Sequence, residues 1–373
     1  SLSVTVAFHA ALPLVLFPTK FYLYLNSILL KKTLIITALS ISMLKLSPQT
    51  GGNRIFEFLN LTYSGLVASL GGSNVSLPAG DINLAHHNPA LLSPVMDKNL
   101  SLSYVNYLAG INYGMALFSR STVDKGNFAG GITYLNYGAF TEADPSGNIT
   151  GTFRASEYSF SLIYSFSIDS SFSVGAALKP VLSHLERYTS FGIAADIGAV
   201  WKSDNDLYSA GIVLRNAGGQ ITTYTGEANR LTPFEIQAGA SARLAHAPLR
   251  FSLTIRHLEK FDLTHEYIAA DYYEDKNPSG QFLENIMRHL IAGAELIPHK
   301  NFYLSAGYNY QRRKELMTEA KTAGVGFSWG FGINTSFLTF QFGRASYHLA
   351  GFSNHISLIT RPELFYKKTR RQN

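Results

Sequence analysis

Between Gly324 and Ile333 the chain reads GVGFSWGFGI, so Val325, Phe327, Trp329, Phe331 and Ile333 alternate with Gly324, Gly326, Ser328, Gly330 and Gly332. A β-strand turns successive side chains to opposite faces, which puts all the bulk of this segment on one face. Apolar bulk on one side and small or polar residues on the other is the pattern of a strand with lipid outside and a lumen inside. The same alternation recurs in most of about fourteen segments from Leu100 onward. The fold class predicted is therefore all-β: a transmembrane antiparallel β-barrel of about 14 strands. A soluble β-sandwich or solenoid also has one apolar face, but would rarely turn glycine and serine to its solvent side over long strands.

The predicted strands run 100–108, 111–119, 128–137, 155–168, 172–183, 191–201, 207–215, 233–244, 249–258, 286–297, 301–312, 322–333, 335–347 and 349–360. In the fourth, Tyr158, Phe160, Leu162, Tyr164, Phe166 and Ile168 face one way, and Ser159, Ser161, Ser165 and Ser167 the other. In the eighth, Phe234, Ile236, Ala238, Ala240 and Leu244 oppose Glu235, Gln237, Ser241 and Arg243; in the ninth, Phe251, Leu253 and Ile255 oppose Ser252, Thr254 and Arg256. The connections alternate too. Those after strands 4, 6, 8, 10 and 12 are tight and polar, whereas those after strands 3, 5, 7, 9 and 11 are mostly longer, and 259–285 is the longest. Short periplasmic turns, long outer loops and an even strand number are the habit of bacterial outer-membrane barrels, and the bacterial outer membrane is the location expected. Residues 99–361 form the predicted barrel domain.

Lys31 and Lys32 precede the apolar run TLIITALSISML and then Ser47, Pro48 and Gln49, so residues 31–48 read as a signal peptide. The run is short of the roughly 20 residues that span a bilayer as a helix. Residues 1–30 read as an upstream extension outside the mature protein, with an anchor helix as the alternative. Residues 49–98 do not alternate; they carry glycine and proline breaks and the polar run DINLAHHNP. Such a segment ahead of a barrel is expected inside the lumen as a plug of short helices and loops, or as a periplasmic extension. The basic tail, 362–373, ends KKTRRQN and could touch anionic lipid or a partner.

No cysteine is present, which excludes disulfides, thiolate metal sites and an acylated lipoprotein cysteine. His86 and His87 are adjacent, and an extended chain would point them apart; they read as polar plug residues and not as metal ligands. The loop HEYIAADYYED holds Tyr267, Asp271, Tyr272, Tyr273 and Glu274. Its carboxylates could take a hard cation, but the spacing matches no calcium loop, and its tyrosines suit a protein partner better. There is no nucleophile elbow and no defensible Ser/His/Asp set. The chain is expected to be a non-enzyme with no metal or cofactor and no nucleic-acid partner.

The block GGNRIFEFLNL from Gly51, then SLGGSNVSLPAGDINLAHHNPALLSP and LSYVNYLAGINYG, followed by FAGGITYLNYGAFTEAD and LERYTSFGIAADIGA, resembles the PorV/PorQ group within the broader FadL-like family of outer-membrane barrels. The resemblance covers Gly51 to about Arg361. It implies a fourteen-stranded barrel with an N-terminal plug, a plug motif spanning Asp81, Asn83, His86 and His87, and the family's NPA motif at Asn88, Pro89 and Ala90. It also implies a place in the attachment complex of the type IX secretion system in Bacteroidetes-type bacteria. There the barrel would sit in outer-membrane lipid and hold a PorZ-like surface protein, alongside a PorU-like sortase and a PorV-like shuttle that attach cargo to anionic lipopolysaccharide. The alternative is a FadL-like channel for uptake of hydrophobic molecules.

Overall fold

The computed structural model describes residues 54–122, 125–263, 278–316, 324–348 and 351–364. Fourteen antiparallel strands form one closed barrel in strict sequence order. They are β1 (Leu100–Asn106), β2 (Asn112–Thr122), β3 (Gly126–Ala143), β4 (Ile149–Ser167), β5 (Phe172–Leu185), β6 (Tyr188–Lys202), β7 (Tyr208–Thr222), β8 (Glu235–Arg243), β9 (Leu249–Ile255), β10 (Leu290–His299), β11 (Phe302–Asn309), β12 (Phe327–Asn334), β13 (Leu338–His348) and β14 (Gly351–Thr360). The barrel closes where β1 pairs with β14, from Leu100 opposite Thr360 to Asn106 opposite Asn354. Closure leaves no strand edge to pair with another chain.

The inside–outside alternation follows the sequence pattern. On β4, Phe160, Leu162, Tyr164 and Phe166 are exposed while Ser159, Ser161 and Ser165 are buried. On β12, Phe327 and Trp329 are exposed and Ser328 is buried. Val325 is a correction: it is buried, because Gly324 and Gly326 take positive φ (90° and 86°) and the strand begins only at Phe327. The exposed aromatic and aliphatic side chains form the apolar belt of a membrane-spanning barrel. Among the described residues no helix is long and apolar enough to cross a membrane.

Other boundaries also differ from the sequence reading. The start of the predicted tenth strand is the helix α2 (Pro278–Arg288), and the end of the predicted eleventh is the helix α3 (Tyr310–Leu316). The β5–β6 connection is only the turn at Glu186–Arg187, with Glu186 at φ 57°, because both strands run on past the expected boundary. Likewise β3 and β4 reach 18 and 19 residues, against the roughly 9–11 needed to cross a bilayer. Their excess forms a hairpin beyond the loop end, with Phe140 and Phe153 stacked at 5.2 Å.

Residues 54–99 fill the lumen. The segment enters at the loop end, where Arg54 bridges Leu231 and the Ile55 amide donates to the Leu231 carbonyl (3.0 Å). It leaves at the turn end through Pro94–Met96 into β1. Its helix α1 (Gly65–Ser69) is capped by Ser64, whose hydroxyl accepts from the Val67 amide, and it packs on β11 to β14. Gly71 and Gly72 then reverse the chain at φ 101° and 98°, a conformation that favours glycine. Asn74 builds the next turn by accepting from the Ser76 and Leu77 amides. The plug expected from the absence of alternation is thus observed.

Candidate functional site

The plug meets the wall through polar pairs and glycine gaps. The Ser69 and Ser305 hydroxyls lie 2.6 Å apart, Ser328 donates to the Ser69 carbonyl (2.9 Å), Ser73 donates to Gln237 (2.7 Å), and Ser76 lies 2.8 Å from Ser241. Between these contacts the wall carries glycine where plug backbone presses on it. A Cβ on Gly307 would stand 2.3 Å from the Gly71 nitrogen, and one on Gly175 2.5 Å from the Ala90 nitrogen. One on Gly343 would stand 2.2 Å from the Gly65 carbonyl oxygen. Gly307, Gly175 and Gly343 are thus sockets of the plug, and on β12 Gly330 joins them, a Cβ there standing 2.7 Å from Ser69 Cβ.

The plug-motif residues are brought together as a folding unit. Asp81 caps the turn Ile82–His86 by accepting from the Asn83 amide (2.8 Å) and from Gln341 Nε2 (2.8 Å), tying the turn to β13. Asn83 Oδ1 accepts from Ser101 (2.7 Å) on β1. Asn88 Oδ1 accepts from the Ala90 amide (3.0 Å) while its Nδ2 donates to the Val75 carbonyl (2.9 Å), so one side chain holds the Pro89–Leu91 turn and the preceding loop. A Cβ on Gly198 would come within 2.0 Å of Asn88 Oδ1, so this asparagine too needs a glycine in the wall.

His86 and His87 do not sit in an extended chain. They lie at the end of a 3-10 turn with ring centroids 5.8 Å apart, and the His86 ring meets Tyr63 edge-on at 5.3 Å. Both are buried, and neither His86 nitrogen nor His87 Nδ1 has a hydrogen-bond partner among the described residues. Burial, reinforced by the charges of Lys179 and Arg215, holds both imidazoles well below the usual histidine range. Among the described residues no three His, Asp or Glu side chains gather as a metal site. Tyr267, Asp271, Tyr272, Tyr273 and Glu274 lie outside the described residues.

The wall holds a charged cluster that sequence reasoning passed over. Lys179 on β5 and Asp196 on β6 are each 1% exposed and form an ion pair at 2.5 Å. Lys179 also donates to Asn216 Oδ1 (3.1 Å), whose own amide donates to Asp196 Oδ1 (2.7 Å). Asn216 sits at φ 53°, next to the register shift between Ala195 and Ile197, and its Nδ2 donates to Asn60 of the plug (2.9 Å). Beside it Arg256 clasps Glu235 through two hydrogen bonds, at 2.7 and 2.9 Å.

Next to Lys179 stands Pro180, in the middle of β5. Proline cannot donate to a ladder. The β4–β5 pairing accordingly skips from Ser159–Val181 to Leu162–Leu178 without changing register. Directly inside this interruption, Val181 packs in an apolar cluster with Phe56, Phe58, Leu59 and Tyr63 of the plug and Tyr113 of β2. Two cavities of about 610 and 580 Å³ open at the turn end, both bordered by Ala79, Gly80, Val95, Arg243 and Arg250. A proline within an alternating strand and a lysine at an inward position were the signals available in the sequence.

No family profile matches the chain, and no curated protein does. Among solved structures it is similar to the Ralstonia pickettii toluene transporter TbuX, at 11% identity over 81% of this chain and 98% of that one, with a TM-score of 0.49. It is also similar to the Pseudomonas putida toluene transporter TodX (12%, 80% and 96%, TM-score 0.47) and to a Pseudomonas aeruginosa FadL homologue (13%, 80% and 97%, TM-score 0.42). Likeness at this level carries no conclusion about substrate or partner.

Proposed function

We propose that this chain is a plug-closed channel of the bacterial outer membrane that passes small hydrophobic molecules. The observation that carries the reading is the juxtaposition at Pro180: an interrupted β4–β5 ladder in the wall, backed by the apolar plug cluster of Phe56, Phe58, Leu59 and Tyr63. An apolar molecule arriving beneath the outer loops would meet that cluster before the charged lumen. The β4–β5 seam, unpaired at Pro180 and Lys179, offers it a lateral exit into the bilayer. In this orientation the short turns are periplasmic. Pro180→Val restores the missing donor, a hydrogen bond worth about 0.5–1.5 kcal/mol net, and should seal the seam. Uptake of a radiolabelled monoaromatic hydrocarbon by cells expressing the variant should fall while barrel abundance is unchanged; unaltered uptake would refute the exit.

A second reading is favoured by the residue resemblance from Gly51 to about Arg361 and by the long β9–β10 connection. Here the barrel is a non-catalytic anchor of the type IX attachment complex. The loop bearing Tyr267, Asp271, Tyr272, Tyr273 and Glu274 would grip a PorZ-like surface protein, next to a PorU-like sortase and a PorV-like shuttle. Aromatic side chains supply interface area at modest entropic cost. Shortening 264–277 separates the two readings: loss of a co-purifying surface protein with uptake intact supports the anchor, and the reverse supports the channel.

A further inference from the structure

Helix α2 (Pro278–Arg288) is amphipathic the wrong way round for a helix packed on a protein. Asn285 and the following His289 are buried, at 5% and 7% exposure, whereas Phe282 and Leu283 are 56% and 61% exposed. At 3.6 residues per turn, residues four apart share a face and those two apart lie nearly opposite. Leu283 and Met287 therefore project away from the side that Asn285 and His289 press against the barrel. His289 anchors that polar side, with its ring nitrogens 2.6 Å from the Arg256 carbonyl and 3.0 Å from the Phe261 carbonyl.

The exposed apolar face continues an existing one. Leu290, just beyond the helix, pairs with Ile255 on β9, whose outward row includes exposed Phe251 and Leu253. The Leu258 amide donates to the carbonyl of Ile236, in the outward row of β8 (3.0 Å), so exposed Leu258 extends that row upward. Exposed Phe261 then meets the Phe282 ring at 5.7 Å. A line of apolar side chains thus climbs from the lipid-facing belt onto α2.

The charges beside it suit a lipid surface. Lys314 of α3 reaches Glu284 at 3.5 Å, as does Arg288 at 2.8 Å, so the two helices are linked. Of their cations, Arg288 is mostly buried on Glu284 and Arg312 turns inward to the Gly71 carbonyl of the plug, which leaves Arg313 and the partly exposed Lys314 beside the apolar face. A helix with an apolar face and flanking cations lies in the interface plane of a membrane, with its cations at anionic head groups.

We propose that α2 is a membrane-seated helix whose Phe282–Leu283 face lies in the outer leaflet at the rim of the barrel. This rests on the reading of the belt as lipid-facing, and the experiment separates the two. The chain has no cysteine, so single nitroxide labels can be placed by Leu283→Cys, Phe327→Cys on the belt and Ser146→Cys on the β3–β4 turn. Each protein is reconstituted in bilayers containing anionic phospholipid, and collision with oxygen is compared with collision with a water-soluble nickel chelate. The ratio at 283 is expected to lie closer to that at 327 than to that at 146. A ratio at 283 matching that at 146, or shelter from both reagents as under a protein cover, would overturn the proposal. A water-like ratio at 327 would overturn the membrane belt itself, and α2's seat with it. Should Leu283→Cys not fold, Phe282→Cys on the same face gives the same readout.

Discussion

Substituting Gly307 by alanine should expel part of the plug while leaving the wall intact. The three atoms nearest the added methyl all belong to the plug backbone: the Gly71 nitrogen and Leu70 carbonyl carbon at 2.3 Å and the Leu70 Cα at 2.7 Å. These lie far inside the 3.4 Å at which ordinary contact begins, so the plug must retreat by about an ångström. Overpacking of this kind costs about 1–3 kcal/mol. The retreat also stretches the bonds from Asn309 and Arg312 to the Gly71 carbonyl (3.2 and 3.3 Å) and the Ser69–Ser305 contact. With one or two of these lost at about 0.5–1.5 kcal/mol each, the total is about 1.5–6 kcal/mol, a rise of roughly 10- to 20,000-fold in local opening. Hydrogen exchange of amides 65–72 in the folded, heat-modifiable protein reads this directly. Gly130→Ala is the control, since a methyl there meets nothing within 4 Å. Equal protection of 65–72 in the two variants would refute the socket account.

Two further outcomes test the lumen. Lys179→Met strands Asp196 as a buried uncompensated charge, a loss of about 3–5 kcal/mol, whereas Lys179→Met with Asp196→Leu should recover most of it; urea unfolding of the reconstituted barrel would show both. The histidine pair makes the plug sensitive to acid. Because both rings are held neutral in the fold, the unfolded chain binds more protons below its ordinary value near 6.5. The contribution is therefore complete above about pH 6.5 and is lost as pH falls below it. At pH 5.5 the loss is up to about 1.4 kcal/mol per histidine. Exchange of amides 82–92 should accelerate at pH 5.5 after correction for intrinsic rate, and less so in His86→Leu.

The barrel was legible because its two environments differ in chemistry at every second residue: Ser159, Ser161 and Ser165 against Phe160, Leu162 and Tyr164 need no further information. Errors arose where the pattern outlasted the backbone that normally produces it. Val325 keeps the alternation of Phe327 and Trp329, yet Gly324 and Gly326 turn the chain out of strand geometry. The apolar residues Phe282, Leu283, Ile286 and Met287 have helical spacing, but their adjacency to Leu290 and Ile291 blurred the border with β10. The plug was visible as a lack of periodicity, whereas its partners were not, since Gly307 or Gly343 as a socket depends on which backbone arrives opposite. Lys179, Asp196 and Asn216 come from three strands, and only the register brings them together.

The central claim is that residues 54–99 fold inside the barrel against its wall. Ser69→Cys with Ser305→Cys tests it most directly, because these residues are 236 apart in sequence with hydroxyl oxygens 2.6 Å apart, and the chain supplies no competing thiol. Mild oxidation of isolated outer membranes should convert the pair almost fully to an intramolecular disulfide, seen as a reducible shift in migration after denaturation. Two thiols that stay free in the folded protein and take up maleimide quantitatively would contradict a plug seated on β11.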